Sequence, residues 1–390
     1  MRKILYLFLA LSVLAGCNKS KGKSGEGNPR TMFVYLGGDN NLDDESFDKI
    51  DALCKGMNGI DGKMVIYQDH RQRGARLYSV EPTSEGSYKA VQIKSYGEEN
   101  SADPDIFRSA MNDALSYAPA ESYGMLVFSH GSGWLPADTP ELTAKSSYSS
   151  ADNRPETDIS RAIIQDGKDM MSITDMASVI PSGVFDFIVF EACLMGDITT
   201  VYELSTKVRY ILASPAEIFS PGFTEIYPVA LRSLYEPMPG GIKAFGERYM
   251  SHWRSDPKYP YATIALYDCS KVGALAEALR EPLSEASFYG TGDYIDKVQR
   301  FGRNKYYRCF LDLEQFAGQF CSDAEKARIQ EAIGQVVVYK DATSSFGPSN
   351  EDHFDITYYC GISVYPTPHD YPLLNREYRN TRLGRYIFSR

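Results

Sequence analysis

Short apolar runs alternate with stretches of helical spacing along most of the chain. TMFVYLGG (31–38) and KMVIYQD (63–69) read as strands, followed by ARLYSV (75–80) and KAVQIKSY (89–96). In PDIFRSAMNDALSYA (104–118), Ile106, Ala110, Ala114 and Leu115 fall at the intervals of one helix face. MLVFSHGSGW (125–134) begins as a continuous apolar strand. Ser172 and Asp175 then open SITDMASVI (172–180) as a capping box would, so a short helix should follow. Next come the strand FDFIVFEAC (185–193), a helix over about 198–207, and the strand YILAS (210–214). Further helices are expected near 241–255, 271–287 and 323–334, with strands at ATIALYD (262–268) and GISVYP (361–366). Continuous apolar strands separated by helices indicate a mainly parallel sheet covered on both faces, which is an α/β fold.

The alternation lapses between Trp134 and Arg161, where Ser, Pro, Asp and Thr dominate. A stretch of that length inside a compact domain is usually functional or mobile. There is no internal repeat and no linker after residue 30. Residues 31–390 are expected to fold as one unit, with a core over about 31–270 and a C-terminal subdomain over about 271–390.

The N-terminus has a different character. Arg2 and Lys3 precede an apolar run from Ile4 to Leu14, too short to span a bilayer. Leu14-Ala15-Gly16-Cys17 then has the form of a bacterial lipobox, in which the chain is cut before the cysteine and its thiol carries lipid. Residues 1–16 read as a lipoprotein signal peptide, Cys17 as the lipidation site, and the polar, Gly/Ser-rich segment 17–30 as a flexible tether. The expected location is the bacterial cell envelope, lipid-anchored outside the cytoplasm. The net charge of −10, with no basic run interleaved with aromatics, argues against nucleic acid as a partner. Seven cysteines at irregular spacing exclude a CxxC zinc cluster; Cys309 and Cys321 are spaced so that they could bridge.

Two strand ends carry the candidate chemistry. Four apolar residues run into Ser129-His130-Gly131, and four more run into Glu191-Ala192-Cys193. In an open parallel sheet, ligands gather outside the carboxyl ends of the strands. A thiolate beside an imidazole is the working unit of acyl transfer: sulfur attacks a carbonyl and histidine shuttles the proton. Of the five histidines, only His130 sits at the end of an apolar strand inside a His-Gly pair. Gly131 lets backbone N–H groups come close to a developing oxyanion.

His-Gly on one strand end and Ala-Cys on another resembles the caspase-like cysteine peptidases, and in particular the clostripain family. TMFVYLGGDNNLDDE is similar to that family's first strand and Asp-Asn-Asn-Leu turn, and FSHGSGW to its His-Gly segment. SITDMASVI, FDFIVFEACLMG, YILAS and CGISVYP follow in the family's order, spanning most of 31–366. The resemblance implies a caspase-like α/β/α sandwich and an endopeptidase in which His130 and Cys193 form the dyad. The Gly131 and Cys193 amides would hold the oxyanion. It also implies cleavage after Arg or Lys, and for some members activation by calcium and by proteolysis between the histidine and the cysteine. Lys145 and Arg154 are the candidate processing sites.

Two departures bear on the substrate pocket. The family has Asp two residues before the cysteine, where this chain has Glu191, expected to serve the substrate pocket. Its second pocket acid falls where this chain has Phe223 and Thr224, with Glu217 or Glu225 as candidate substitutes. The altered pocket keeps two other readings open: a binding protein on a peptidase fold, and a Cys-dependent amidase of other specificity. The DNNLDDE segment groups oxygen ligands but lacks the twelve-residue spacing of a calcium loop, so it reads better as a polar turn and no metal ligand is assigned.

Overall fold

The computed structural model describes residues 28–136, 163–284, 297–302, 309–348, 353–369 and 371–389. The first strand, β1 (Arg30–Leu36), leads through the helix α1 (Glu45–Gly56) to β2 (Lys63–Gln68). An antiparallel pair follows, β3 (Ala75–Pro82) and β4 (Tyr88–Gly97), then α2 (Pro104–Tyr117) and β5 (Ser122–Phe128). The hairpin β6 (Ile164–Asp166) and β7 (Asp169–Met171) precedes α3 (Ile173–Val179), β8 (Phe185–Glu191), α4 (Ile198–Leu204) and β9 (Val208–Ala213). After the short α5 (Tyr227–Ala230) come α6 (Gly240–Ser255), β10 (Thr263–Asp268) and α7 (Val272–Ser284). Then follow β11 (Leu311–Asp312), α8 (Leu313–Phe320), α9 (Asp323–Val336) and β12 (Val337–Ala342).

Nine strands form one sheet in the order β12-β10-β9-β8-β5-β1-β2-β3-β4. The five central strands, β9 to β2, are parallel, and each flank carries two antiparallel strands. Side chains alternate across the pleat, so each central strand feeds two cores. On β8, Ile188 and Phe190 join the core that includes Phe107 of α2, Met176 of α3, Val201 of α4 and Leu279 of α7. Phe187 and Val189 join the opposite one, with Leu53 of α1 and Phe245 and Tyr249 of α6. This is the α/β/α sandwich the sequence points to, with its continuous apolar strands buried on both faces.

Segments after residue 270 are not set apart from the sheet: β12 pairs with β10, and α9 packs on α7. The expected strand at GISVYP is only Ser363–Val364, and it pairs with β11 outside the main sheet. All six described cysteines are thiols, so Cys309 and Cys321 do not bridge. Five of the described α-helices escaped the pattern, α1, α5 and α8 among them; α1 has a mixed sequence, ESFDKIDALCKG. Ser172 does cap α3, its hydroxyl accepting from Asp175 N–H at 3.0 Å.

Candidate active site

Chain order reverses at the boundary between β1 and β5. β1 passes to β2 on one side, and the chain returns to add β5, β8 and β9 on the other. Loops leaving β1 and β5 at their carboxyl ends therefore diverge, opening a crevice there. His130 leaves β5 and Asn41 leaves β1, one on each side of that crevice, and Cys193 leaves the neighbouring β8. Phe128 and Glu191 are paired in register, which places His130 and Cys193 each two residues beyond the same rung.

The turns after these strands are closely fitted. A Cβ on Gly131 would lie 2.6 Å from the Cys193 carbonyl oxygen and 3.0 Å from its amide nitrogen. Only glycine lets the two loops touch in this way. Leu194, just past the cysteine, has φ of 63°, a left-handed conformation that costs a non-glycine residue about 1–2 kcal/mol. The chain reverses sharply there, and Leu194 N–H is secured to the Ala216 carbonyl at 2.9 Å. Gly196 N–H likewise donates to Ser214 at 2.9 Å. The half-buried Cys193 sulfur faces the same loop: Ile218 N–H donates to Sγ at 3.4 Å, and the Ile218 carbonyl lies 3.7 Å from it.

Nε2 of His130 lies 2.5 Å from Asn41 Oδ1. An amide oxygen can only accept, so this contact puts the proton on Nε2. In the sequence Asn41 is only part of a polar turn; its link to His130 depends on two loops meeting across the crevice, which no spacing reveals. Its neighbour Asn40 shapes that turn, accepting from Leu42 N–H at 2.8 Å and donating to the Gln165 carbonyl at 2.9 Å.

Glu191 does not point along the strand toward the crevice. It follows the pleat of Phe187 and Val189 toward α1, and is 2% exposed. Lys49 Nζ of α1 lies 2.7 Å from its Oε1, which also accepts from Phe223 N–H at 2.5 Å; Tyr227 OH donates to Oε2 at 2.5 Å. Phe223 is fully buried against Phe245 and Tyr249. Glu225 is exposed and Glu217 buried. Lys145, Arg154 and Cys17 lie outside the described residues.

Among the described residues, no group of three His, Cys, Asp or Glu side chains is placed to hold a metal ion. In the 39–45 turn, Asp39 binds Arg71 at 2.8 Å, Asp43 faces His70 at 3.6 Å and Glu45 binds Ser220 at 2.5 Å. Asp44 of the same turn lies 4.0 Å from His70 and is exposed.

Known proteins share this fold. The secreted C11 cysteine protease "iotapain" of Bacteroides thetaiotaomicron superposes with a TM-score of 0.77, at 22% identity over 93% of this chain and 99% of that one. An inactive zymogen C11 protease from Parabacteroides distasonis gives 0.79, at 21% identity over the same shares. These likenesses establish the fold. Clostripain of Hathewaya histolytica is 22% identical over 231 residues, 52% of this chain; the chain spans 42% of that protein's length. Residues 1–18 match a prokaryotic membrane lipoprotein lipid attachment site. No described helix is long and apolar enough to cross a membrane. The sequence model of the clostripain family, peptidase C11, matches residues 34–361, a span that holds the end of β1, the other eight strands of the main sheet, His130 and Cys193; the chain belongs to the clostripain family.

Proposed function

We propose that the protein is a cysteine endopeptidase working through His130 and Cys193. The observation that carries this reading is the pairing of two strand ends at the crevice: β5 and β8 in register, with Gly131 packed on the backbone of Cys193. In the reaction, the Cys193 proton passes to His130 as sulfur bonds to the substrate carbonyl carbon. The carbonyl oxygen becomes an oxyanion, for which the Gly131 and Cys193 amides are the proposed donors. Collapse breaks the C–N bond, and the departing amine takes the proton from the imidazolium. Water then gives a proton to His130 and attacks the thioester; the acid leaves, and the proton returns to sulfur. Because Asn41 takes Nε2, the proton exchanges of this cycle fall to Nδ1.

The substrate is a peptide or protein. The lipid attachment match supports a protein lipidated at Cys17 after removal of residues 1–16, tethered by 17–30 and held in the cell envelope. Proteolytic processing at Lys145 or Arg154 is part of this proposal, on the family resemblance and the Ser-, Pro-, Asp- and Thr-rich composition of that segment. Basic P1 preference, also implied by the family, has to be set against the surroundings of Glu191. The test of the dyad is hydrolysis of a fluorogenic peptide panel by the full chain. Cys193→Ala should abolish turnover, and His130→Ala should lower kcat by about 10²–10⁴-fold. Turnover that persists in Cys193→Ala would remove the dyad from the account.

A further inference from the structure

The carboxylate two residues before the nucleophile already has a cation of its own. Lys49 is fully buried, and its ammonium has three N–H groups and three acceptors: Glu191 Oε1 at 2.7 Å, Thr224 Oγ1 at 3.0 Å and the Pro221 carbonyl at 3.1 Å. It also lies 4.1 Å from the centre of the Phe128 ring, under the end of the strand that carries His130. Glu191 is equally committed. One oxygen takes Lys49 and Phe223 N–H, and the other takes Tyr227 OH.

Gly222 closes the arrangement. At φ of 63°, it passes so near that a Cβ there would meet Glu191 Oε1 at 2.2 Å. The carboxylate is roofed by backbone as well as neutralised. For a substrate ammonium or guanidinium to reach it, Lys49 would have to be displaced from its 2.7 Å partner and left buried with only the looser pairing to Glu45 at 3.9 Å, an unfavourable exchange. Phe223 stands where a second acid would otherwise assist, and it is buried among aromatic rings. On the loop that touches the sulfur, Ile218 and Phe219 are partly exposed and Ser220 and Pro221 exposed, and the nearest of these to the sulfur, Ile218, is apolar.

We infer that Lys49 is the resident counter-ion of Glu191, occupying the acid that would receive a basic side chain, and that the enzyme selects peptides with an uncharged P1 residue over Arg or Lys. This rests on the cysteine-peptidase reading. It makes Lys49, far from the nucleophile in sequence, the residue that sets substrate class, and Glu191 a structural acid that does not bind substrate.

The experiment measures kcat/KM of the full chain on peptides differing only at P1 (Leu, Phe, Gln, Lys, Arg), in parallel with labelling of Cys193 by peptidyl acyloxymethyl ketones of the same P1 set. Wild type should favour uncharged P1 over Lys and Arg by about tenfold or more. Lys49→Ala should shift that ratio toward Lys and Arg by about tenfold. Should Lys49→Ala not fold, the paired variant Glu191→Gln/Lys49→Met serves; it should keep the wild-type ratio within about threefold, since no net charge is changed. A wild-type preference for Lys or Arg overturns the inference, whether Glu191→Gln or Glu217→Gln abolishes it. A folded Lys49→Ala with an unmoved ratio also overturns it. Neither turnover nor labelling with any P1 would instead sink the peptidase reading, and this inference with it.

Discussion

Asn41 holds one nitrogen of His130, and in the proposed dyad that contact would set which nitrogen exchanges protons with Cys193. Its side chain need not touch substrate, so its loss should act through the imidazole. We predict that Asn41→Ala lowers kcat by about 10–10²-fold with little change in KM, because a loosened ring misses the reacting geometry more often. The acidic limb of the kcat/KM profile should move as well. An unchanged kcat and an unchanged profile would mean that the contact is incidental. His130 and Cys193 stand out as candidates in the sequence because both end an apolar run beside a glycine or a small residue. Asn41 and Lys49 do not, since each acts on a residue about 90–140 positions away. A cue to Lys49 was nonetheless present: Ser46, Lys49, Ile50, Leu53 and Cys54 share the buried stripe of α1, and a lysine on such a stripe requires a partner.

At the scale of elements, the Lys49–Glu191 pair fastens α1 to the end of β8 and to the segment 221–227, on the core face that also holds Phe223, Tyr227 and Tyr249. A buried pair contributes little net stability when made, but breaking one side of it strands a charge. We expect Lys49→Met alone to destabilise the fold by about 3–5 kcal/mol, and the paired Glu191→Gln/Lys49→Met to cost much less, both read from urea midpoints. Equal losses in the single and paired variants would show that packing, not charge, dominates there. The pleat foretold the direction of Glu191: an odd position on β8 beyond Phe187 and Val189 turns inward toward α1. The family likeness points to a substrate pocket, while the parity of the strand accounts for the Glu191 contacts with Lys49, Phe223 and Tyr227.

For the whole molecule, the continuous apolar strands made the sandwich legible, whereas the edges of the sheet were not. Nothing in the local sequence distinguishes the antiparallel β10 and β12 from the parallel strands beside them, because direction is set by where a connection returns. The same holds for two carboxyls buried between elements. Asp69, after β2, is pushed up to about 8 by burial and by its hydrogen bond with Asp166, and Asp197, at the start of α4, to about 7 by burial. An unfolded Asp loses its proton near pH 4, so between about pH 4 and 8 the folded protein binds protons that the unfolded chain has released. Stability should therefore fall as pH rises through that window and level off above it. Asp69→Asn, measured by urea midpoints at pH 5, 7 and 9, should flatten the descent; curves parallel to wild type would show that Asp69 does not hold its proton in the fold.

The central claim is that Cys193 is the nucleophile, served by His130 across the β5–β8 boundary. The most direct measurement is peptide mapping by mass spectrometry after treating the full chain with a peptidyl acyloxymethyl ketone of uncharged P1. The account predicts a thioether on Cys193 alone, with the other cysteines unmodified and labelling slowed by about 10²-fold or more in His130→Ala. An adduct on another cysteine, or labelling of Cys193 at the same rate without His130, would contradict it.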